Sequence, residues 1–141
     1  MAETKRKIIL VDDDRVTLTM LQMILLKQGF EVITAENGQA GLKLVQKLHP
    51  DILITDMLIP KIDGLSLCKK IKESPELAKT KVIVMTAVYK GIPFRHEAQE
   101  SGAEAFVEKP VDTKELMAKI KALLGHPKNE IKNIRSKDTE N

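Results

Sequence analysis

Three consecutive aspartates, Asp12, Asp13 and Asp14, stand directly behind the apolar run Ile8 to Val11. Asp56 closes a second such run, Thr86 lies near the end of a third, and Lys109 with Pro110 follows a fourth. Carboxylates brought together repel one another, and without a cation one or more of them takes up a proton. A hard divalent ion removes the conflict: Mg²⁺ takes a few carboxylate and carbonyl oxygens in an octahedral shell and keeps waters or phosphate oxygens at the remaining positions. Such an ion beside an aspartate, with an ammonium and a hydroxyl nearby, is equipment for moving a phosphoryl group onto a carboxylate.

That chemistry requires residues far apart in the chain to meet at one edge of a fold, and the hydrophobic pattern supplies the means. Ile8 to Val11 is a short, continuous apolar run of the kind seen in strands covered on both faces. Between Arg15 and Gln28 apolar residues recur at helical spacing, and Gly29 is a suitable stop. The alternation then repeats. Phe30 to Ala35 reads as a strand, Glu36-Asn37-Gly38 as a turn, and a helix through Ala40, Leu42, Leu44, Val45 and Leu48 closes at His49-Pro50. Asp51 to Thr55 is a strand ending at Asp56, Met57 to Gly64 a loop, Leu65 to Glu73 a helix and Lys81 to Ala87 a buried strand. A shorter helix from Phe94 to Ser101, a strand from Glu104 to Glu108 and a helix from Asp112 to Leu124 complete the count.

Five strands alternating with five helices predict an α/β fold, a doubly wound five-stranded parallel sheet with helices on both faces. Right-handed crossovers put every strand's C-terminal end on one edge, and ligands in such sheets bind outside those ends, where strand order reverses. Asp12, Asp13, Asp14, Asp56, Thr86 and Lys109 all fall there.

Length and composition set the frame. A chain of 141 residues suits one domain with a real core. The net charge of +3 comes from the basic ends, Lys5 to Lys7 and the stretch after Gly125, and Ile8 to Leu124 is formally neutral, so direct nucleic-acid binding is not expected. Cys68 is the one cysteine, which excludes an intramolecular disulfide; it reads as a small buried residue on a helix. The start is polar and leads into only four apolar residues, too few for a membrane span, so a soluble cytoplasmic protein with no membrane partner is expected.

Taken in order, "ILVDD", "LITDMLIPKIDG", "VIVMTA" and "FVEKP" resemble the receiver domain of two-component response regulators, as in the chemotaxis regulators, from Lys7 to Leu124. The resemblance implies a flavodoxin-like receiver fold and a signalling domain rather than a conventional enzyme, one that catalyses its own phosphorylation and dephosphorylation. By this likeness Asp56 is the phosphoacceptor, and Asp12, Asp13, Asp56 and the backbone carbonyl of Leu58 hold Mg²⁺, for which Mn²⁺ could substitute. Thr86 and Lys109 contact the phosphoryl oxygens, Thr86 and Phe106 form the switch, and the bond before Pro110 is cis. A sensor histidine kinase or a histidine phosphotransfer protein is the implied donor. The implied readout is a change in the face built by the fourth helix, fifth strand and fifth helix, which engages a downstream effector protein or output domain or forms a homodimer.

Each assignment has a plainer rival. Helix capping needs only one or two carboxylates, and Asp14 suits that task, leaving Asp12 and Asp13 for the metal. His49, His96 and His126 show no ligand spacing. Phe106 stands where the family often has tyrosine, so a hydroxyl that would report the switch is missing. Leu58 and Val88, at positions whose polarity in the family influences loss of the phosphoryl group, are apolar and cannot orient a hydrolytic water; the phosphorylated form is therefore expected not to be unusually short-lived. The loop from Val88 to Phe94 reads as structural or as a partner contact, and the broad stripe of the first helix as a donor-docking face or extra core contact. "VDDDRV" also fits a haloacid-dehalogenase-like Mg²⁺-dependent phosphohydrolase with Asp12 as nucleophile and Asp14 as acid/base, but no late acidic motif follows and Asp56 would lose its purpose. Residues 1–124 are thus expected to form the receiver, and 125–141 a polar, flexible tail or linker too poor in apolar residues for an output domain.

Overall fold

The computed structural model describes residues 5–87 and 100–125. Five parallel strands, β1 (Lys7–Val11), β2 (Glu31–Ala35), β3 (Ile52–Asp56), β4 (Lys81–Ala87) and β5 (Ala105–Lys109), form one sheet in the order β2-β1-β3-β4-β5. Among the described residues four helices accompany them: α1 (Arg15–Lys27), α2 (Gly38–Leu48), α3 (Gly64–Glu73) and α4 (Thr113–Leu124). The sequence-predicted helix at Phe94 to Ser101 lies outside the described residues apart from its last two. So do Val88, the loop it begins, His96, His126 and the tail beyond Gly125.

The strands form because their residues are apolar on both sides. Ile8 and Leu10 with Ile52, Ile54, Ile83, Met85 and Val107 meet Leu18, Leu21 and Leu25 of α1 and Leu116 and Ile120 of α4 in one core. Ile9, Val11, Leu53, Val82 and Val84 meet Val45 of α2 and Leu67, Cys68 and Ile71 of α3 in the other. Each fully buried aliphatic side chain contributes about 1.5–3 kcal/mol relative to exposure, so the two cores hold the sheet between its helices. Cys68 is free and buried, as its place on the helix indicated. The first-helix stripe divides: Leu18, Leu21 and Leu25 turn inward, whereas Val16, Met20, Met23 and Leu26 are exposed, so the surplus apolar residues do not add core contact.

Local signals fix the helix starts. Asn37 caps α2 by accepting from the Ala40 amide at 2.8 Å, Asp63 caps α3 through the Ser66 amide at 2.9 Å, and Asp112 caps α4. Two boundaries differ from the sequence reading in a useful way. Asp56 and Lys109 are the last residues of β3 and β5 rather than the first after them. The ladder bonds are made by backbone, so Asp56 pairs with Met85 and Lys109 with Ala87 whatever their side chains. Both polar groups thereby inherit the rigidity of the sheet.

From β1 the chain moves outward to β2 and then returns to β3 on the other side, so the strand order reverses between β1 and β3. The C-terminal ends of those two strands carry Asp12 and Asp56.

Candidate functional site

Asp12, Asp13 and Asp56 converge: each offers a carboxylate oxygen, and these atoms lie within 4.8 Å of one another. Asp12 continues the alternation of Ile8 and Leu10, Asp56 that of Ile52 and Ile54, and Lys109 that of Ala105 and Val107, so all three belong to the face of the sheet covered by α1 and α4. The Lys109 ammonium spans two of the carboxylates, 2.7 Å from Asp12 Oδ2 and 3.0 Å from Asp56 Oδ1. Asp12 is fully buried; its other oxygen accepts the Asp14 amide at 2.9 Å, and its own amide donates to the Ala35 carbonyl at 3.1 Å. Lys109 precedes Pro110 through a cis bond, matching the resemblance.

The electrostatics follow from this geometry. Burial pushes the Asp56 carboxyl up from its ordinary value; the hydrogen bond from Lys109 works against burial, and the charges of Asp12 and Asp13 add to it. Burial works to lower the Lys109 ammonium, but the hydrogen bonds to Asp12 and Asp56 and their charges outweigh it, and the net shift is upward. Lys109 therefore stays charged at neutral pH. One ammonium among three carboxylates leaves an excess of two negative charges when all are ionised. All-oxygen donors at this spacing with that charge fit a hard divalent ion, since ligand oxygens around Mg²⁺ lie about 3–4 Å apart.

The loop that follows Asp56 is folded tightly back against the end of β3. Its start is pinned by the Met57 amide on the Met85 carbonyl at 2.9 Å, and it is closed by the Gly64 amide on the Met57 carbonyl at 2.8 Å. A Cβ at Gly64 would overlap the Asp56 carbonyl oxygen, so the loop needs glycine there. Leu58, within this loop, has an exposed side chain.

Asp14 does not join the cluster. It is the N-cap of α1, accepting from the Val16 amide at 3.1 Å and the Thr17 hydroxyl at 2.7 Å, and the Thr17 bond is the first cause of its lowered carboxyl pKa. Both of its oxygens are engaged at the start of α1, so the geometry disfavours the dehalogenase-like assignment. Arg15, next along, pairs with Glu36 at 3.1 Å on the exposed rim.

Thr86 sits on the opposite sheet face from Asp56. It pairs in register with Glu108, while Val84, two residues earlier, pairs with Phe106. Thr86 and Phe106 are therefore diagonal neighbours on one face, both half-buried, and Phe106 packs on the α2–α3 core. The sequence reading missed the α2 contact with the Asp56 loop: the Gly38 amide donates to the Pro60 carbonyl at 3.0 Å. A glycine at the first helical position, where alanine would favour the helix, was its only local signal.

Comparison with known proteins agrees with this geometry. The family described as the response regulator receiver domain matches residues 8–121. The transcriptional regulatory protein AfsQ1 of Streptomyces coelicolor is 37% identical over 117 residues, which cover 83% of this chain and 50% of that protein. The chain spans about half the length of most of the curated relatives it matches, at 50% and 54% of two of them. Among solved structures, the receiver domain of a signal transduction histidine kinase from Syntrophus aciditrophicus superposes with a TM-score of 0.79 at 30% identity, covering 84% of this chain and 89% of that one. The receiver domain of the sensor histidine kinase PA1611 from Pseudomonas aeruginosa has the same fold, with a TM-score of 0.79 at 22% identity over 87% of this chain and 100% of that one; that structure has a magnesium ion coordinated in its active-site cleft. No helix among the described residues is long and apolar enough to cross a membrane.

Proposed function

This chain belongs to the response regulator receiver family, and on that premise we propose that Asp56 takes a phosphoryl group from phosphohistidine of a sensor histidine kinase or histidine phosphotransfer protein in a Mg²⁺-dependent reaction. The observation that carries the reading is the Lys109 ammonium shared between Asp12 at 2.7 Å and Asp56 at 3.0 Å, with Asp13 beside them. Asp12, Asp13, Asp56 and the Leu58 carbonyl are the proposed metal ligands. Mg²⁺, when bound, supplies divalent charge against the equatorial oxygens of the transferring group; Mn²⁺ has the ligand preference to replace it.

An Asp56 oxygen attacks phosphorus in line as the bond to the imidazole nitrogen breaks, and the nitrogen keeps the bonding electron pair. Lys109, held at the same carboxylate, stabilises the charge that develops on the phosphoryl oxygens. The Thr86 hydroxyl donates to one of those oxygens by moving toward the site. Phe106, its diagonal neighbour, then turns into the space that Thr86 leaves, shifting a two-state equilibrium by the difference in phosphate contacts between the states. The face formed by β5, α4 and the sequence-predicted helix at 94–101 carries the change to an effector protein, an output domain or a second copy of the chain.

Incubation with acetyl phosphate and Mg²⁺ tests the reading. One hydroxylamine-sensitive acyl phosphate should form on Asp56, seen by intact mass and peptide mapping, and a chelator should abolish it. Continued turnover of phosphate monoesters by Asp56→Ala would instead support a hydrolase using Asp12. The lifetime of the acyl phosphate is a separate expectation. With Leu58 exposed and apolar beside the site, phosphate release should not be unusually fast, and Leu58→Asn, which can orient a water, should accelerate it severalfold. Rapid decay that slows on polar replacement would contradict this account.

A further inference from the structure

Resting on the assignment of the Leu58 carbonyl as a metal ligand, we propose that Gly38 is a positioning residue for the Mg²⁺ site, acting through the loop that carries Leu58. The first amides of a helix lack partners within it. In α2 the Asn37 side chain takes the Ala40 amide at 2.8 Å, and the Gly38 amide donates out of the helix to the Pro60 carbonyl at 3.0 Å. The same carbonyl accepts the Ile62 amide at 2.9 Å, and Lys61 between them is held at φ 75. Two donors on one oxygen fix the loop two residues beyond Leu58.

The approach leaves no room for a side chain. A Cβ at Gly38 would overlap the Ile62 carbonyl oxygen and lie 2.8 Å from Ile62 Cβ. These are backbone and Cβ atoms, which cannot rotate away, so alanine must push the loop as a body. One turn along, a Cβ at Gly41 would fall 2.7 Å from Val11 Cγ2, on the residue before Asp12. The start of α2 therefore abuts both halves of the site: the end of β1, which carries Asp12 and Asp13, and the loop, which carries Leu58. It sets the distance between them. Glycine at 38 serves this packing rather than backbone freedom, because its φ is not in the left-handed region.

The test is a Mg²⁺ titration of Gly38→Ala, read by calorimetry and by the Mg²⁺ dependence of acetyl phosphate uptake. Groups that orient metal ligands typically cost roughly 10- to 100-fold in metal affinity when altered, and the Mg²⁺ midpoint should rise by that factor. The rate at saturating Mg²⁺ should stay within about twofold of wild type, because the reacting groups are untouched. Leu25→Ala, in the core under the last turn of α1 and away from the strand ends that carry the site, should lose stability without moving the midpoint. An unchanged midpoint in folded Gly38→Ala overturns the positioning role alone, whereas a wild-type protein that neither binds Mg²⁺ nor takes up phosphate overturns the metal-site reading with it. Should Gly38→Ala fail to fold, amide exchange in the wild type decides. Linkage is reciprocal, so Mg²⁺ should slow exchange at Gly38 more than at Gly41, whose amide bonds within α2 to the Asn37 carbonyl at 3.0 Å; equal slowing overturns the proposal.

Discussion

Asp56→Asn should lower acyl-phosphate formation from acetyl phosphate by at least about 10³-fold, because the substitution removes the nucleophile and leaves its neighbours in place. The same change should make the protein more stable at neutral pH in chelator-treated buffer. Burial, followed by the charges of Asp12 and Asp13, raises the Asp56 carboxyl above its ordinary 3.8, with Lys109 only partly opposing them. The folded chain therefore holds this proton to a higher pH than the unfolded chain does. Folding stability falls as pH rises through the folded value and stays depressed above it. An asparagine has no such loss. The gain should be on the order of 1 kcal/mol at neutral pH and should vanish below the unfolded carboxylate range, where wild-type Asp56 is protonated in both states. Urea denaturation of both proteins across pH checks it. A variant that is less stable at neutral pH would show that the Lys109 contact outweighs burial and repulsion.

Such coupling between a reactive carboxylate and the fold's stability arises because the site is built from strand ends. That much was legible in the sequence: apolar runs marked β1, β3 and β4, shorter apolar stretches between turn signals marked β2 and β5, and the polar residues at the ends of β1, β3, β4 and β5 marked one edge. Asp14 was separable from Asp12 and Asp13 because a residue before an amphipathic run is a capping candidate, and its bonds to Val16 and Thr17 bear this out. The surface stripe of α1 was not resolvable, since Val16 and Leu18 are equally apolar and only the tertiary fold exposes one and buries the other. The Gly38 contact was also hidden, because its partners Pro60 and Ile62 are brought to it by the crossing of two separate βα units. Pairings within one element leave a period in the sequence; pairings between elements leave only a residue type.

Lys109→Met should separate two quantities that usually move together, weakening phosphoryl transfer while tightening Mg²⁺ binding. Lys109 is the ion-pair partner of Asp12, whose side chain has no solvent exposure. Removing one member of a buried pair strands the other, at a cost of about 3 kcal/mol here, the low end for such losses, because Lys109 itself is 25% exposed. Asp12 keeps the Asp14 amide at 2.9 Å, so the fold should survive. The ammonium also repels any cation that the three carboxylates gather, and its loss should raise Mg²⁺ affinity about tenfold. Added Mg²⁺ should therefore restore more stability to the variant than to the wild type. Transfer should still slow by about 10²–10³-fold, the usual effect of deleting one group that stabilises charge in the transition state. Calorimetric titration, denaturation with and without Mg²⁺, and uptake rates at saturating Mg²⁺ measure the three effects. If Mg²⁺ affinity falls together with the rate, Lys109 acts mainly by holding Asp12 and Asp56 in place; if affinity rises as the rate falls, its charge acts on the phosphoryl group itself.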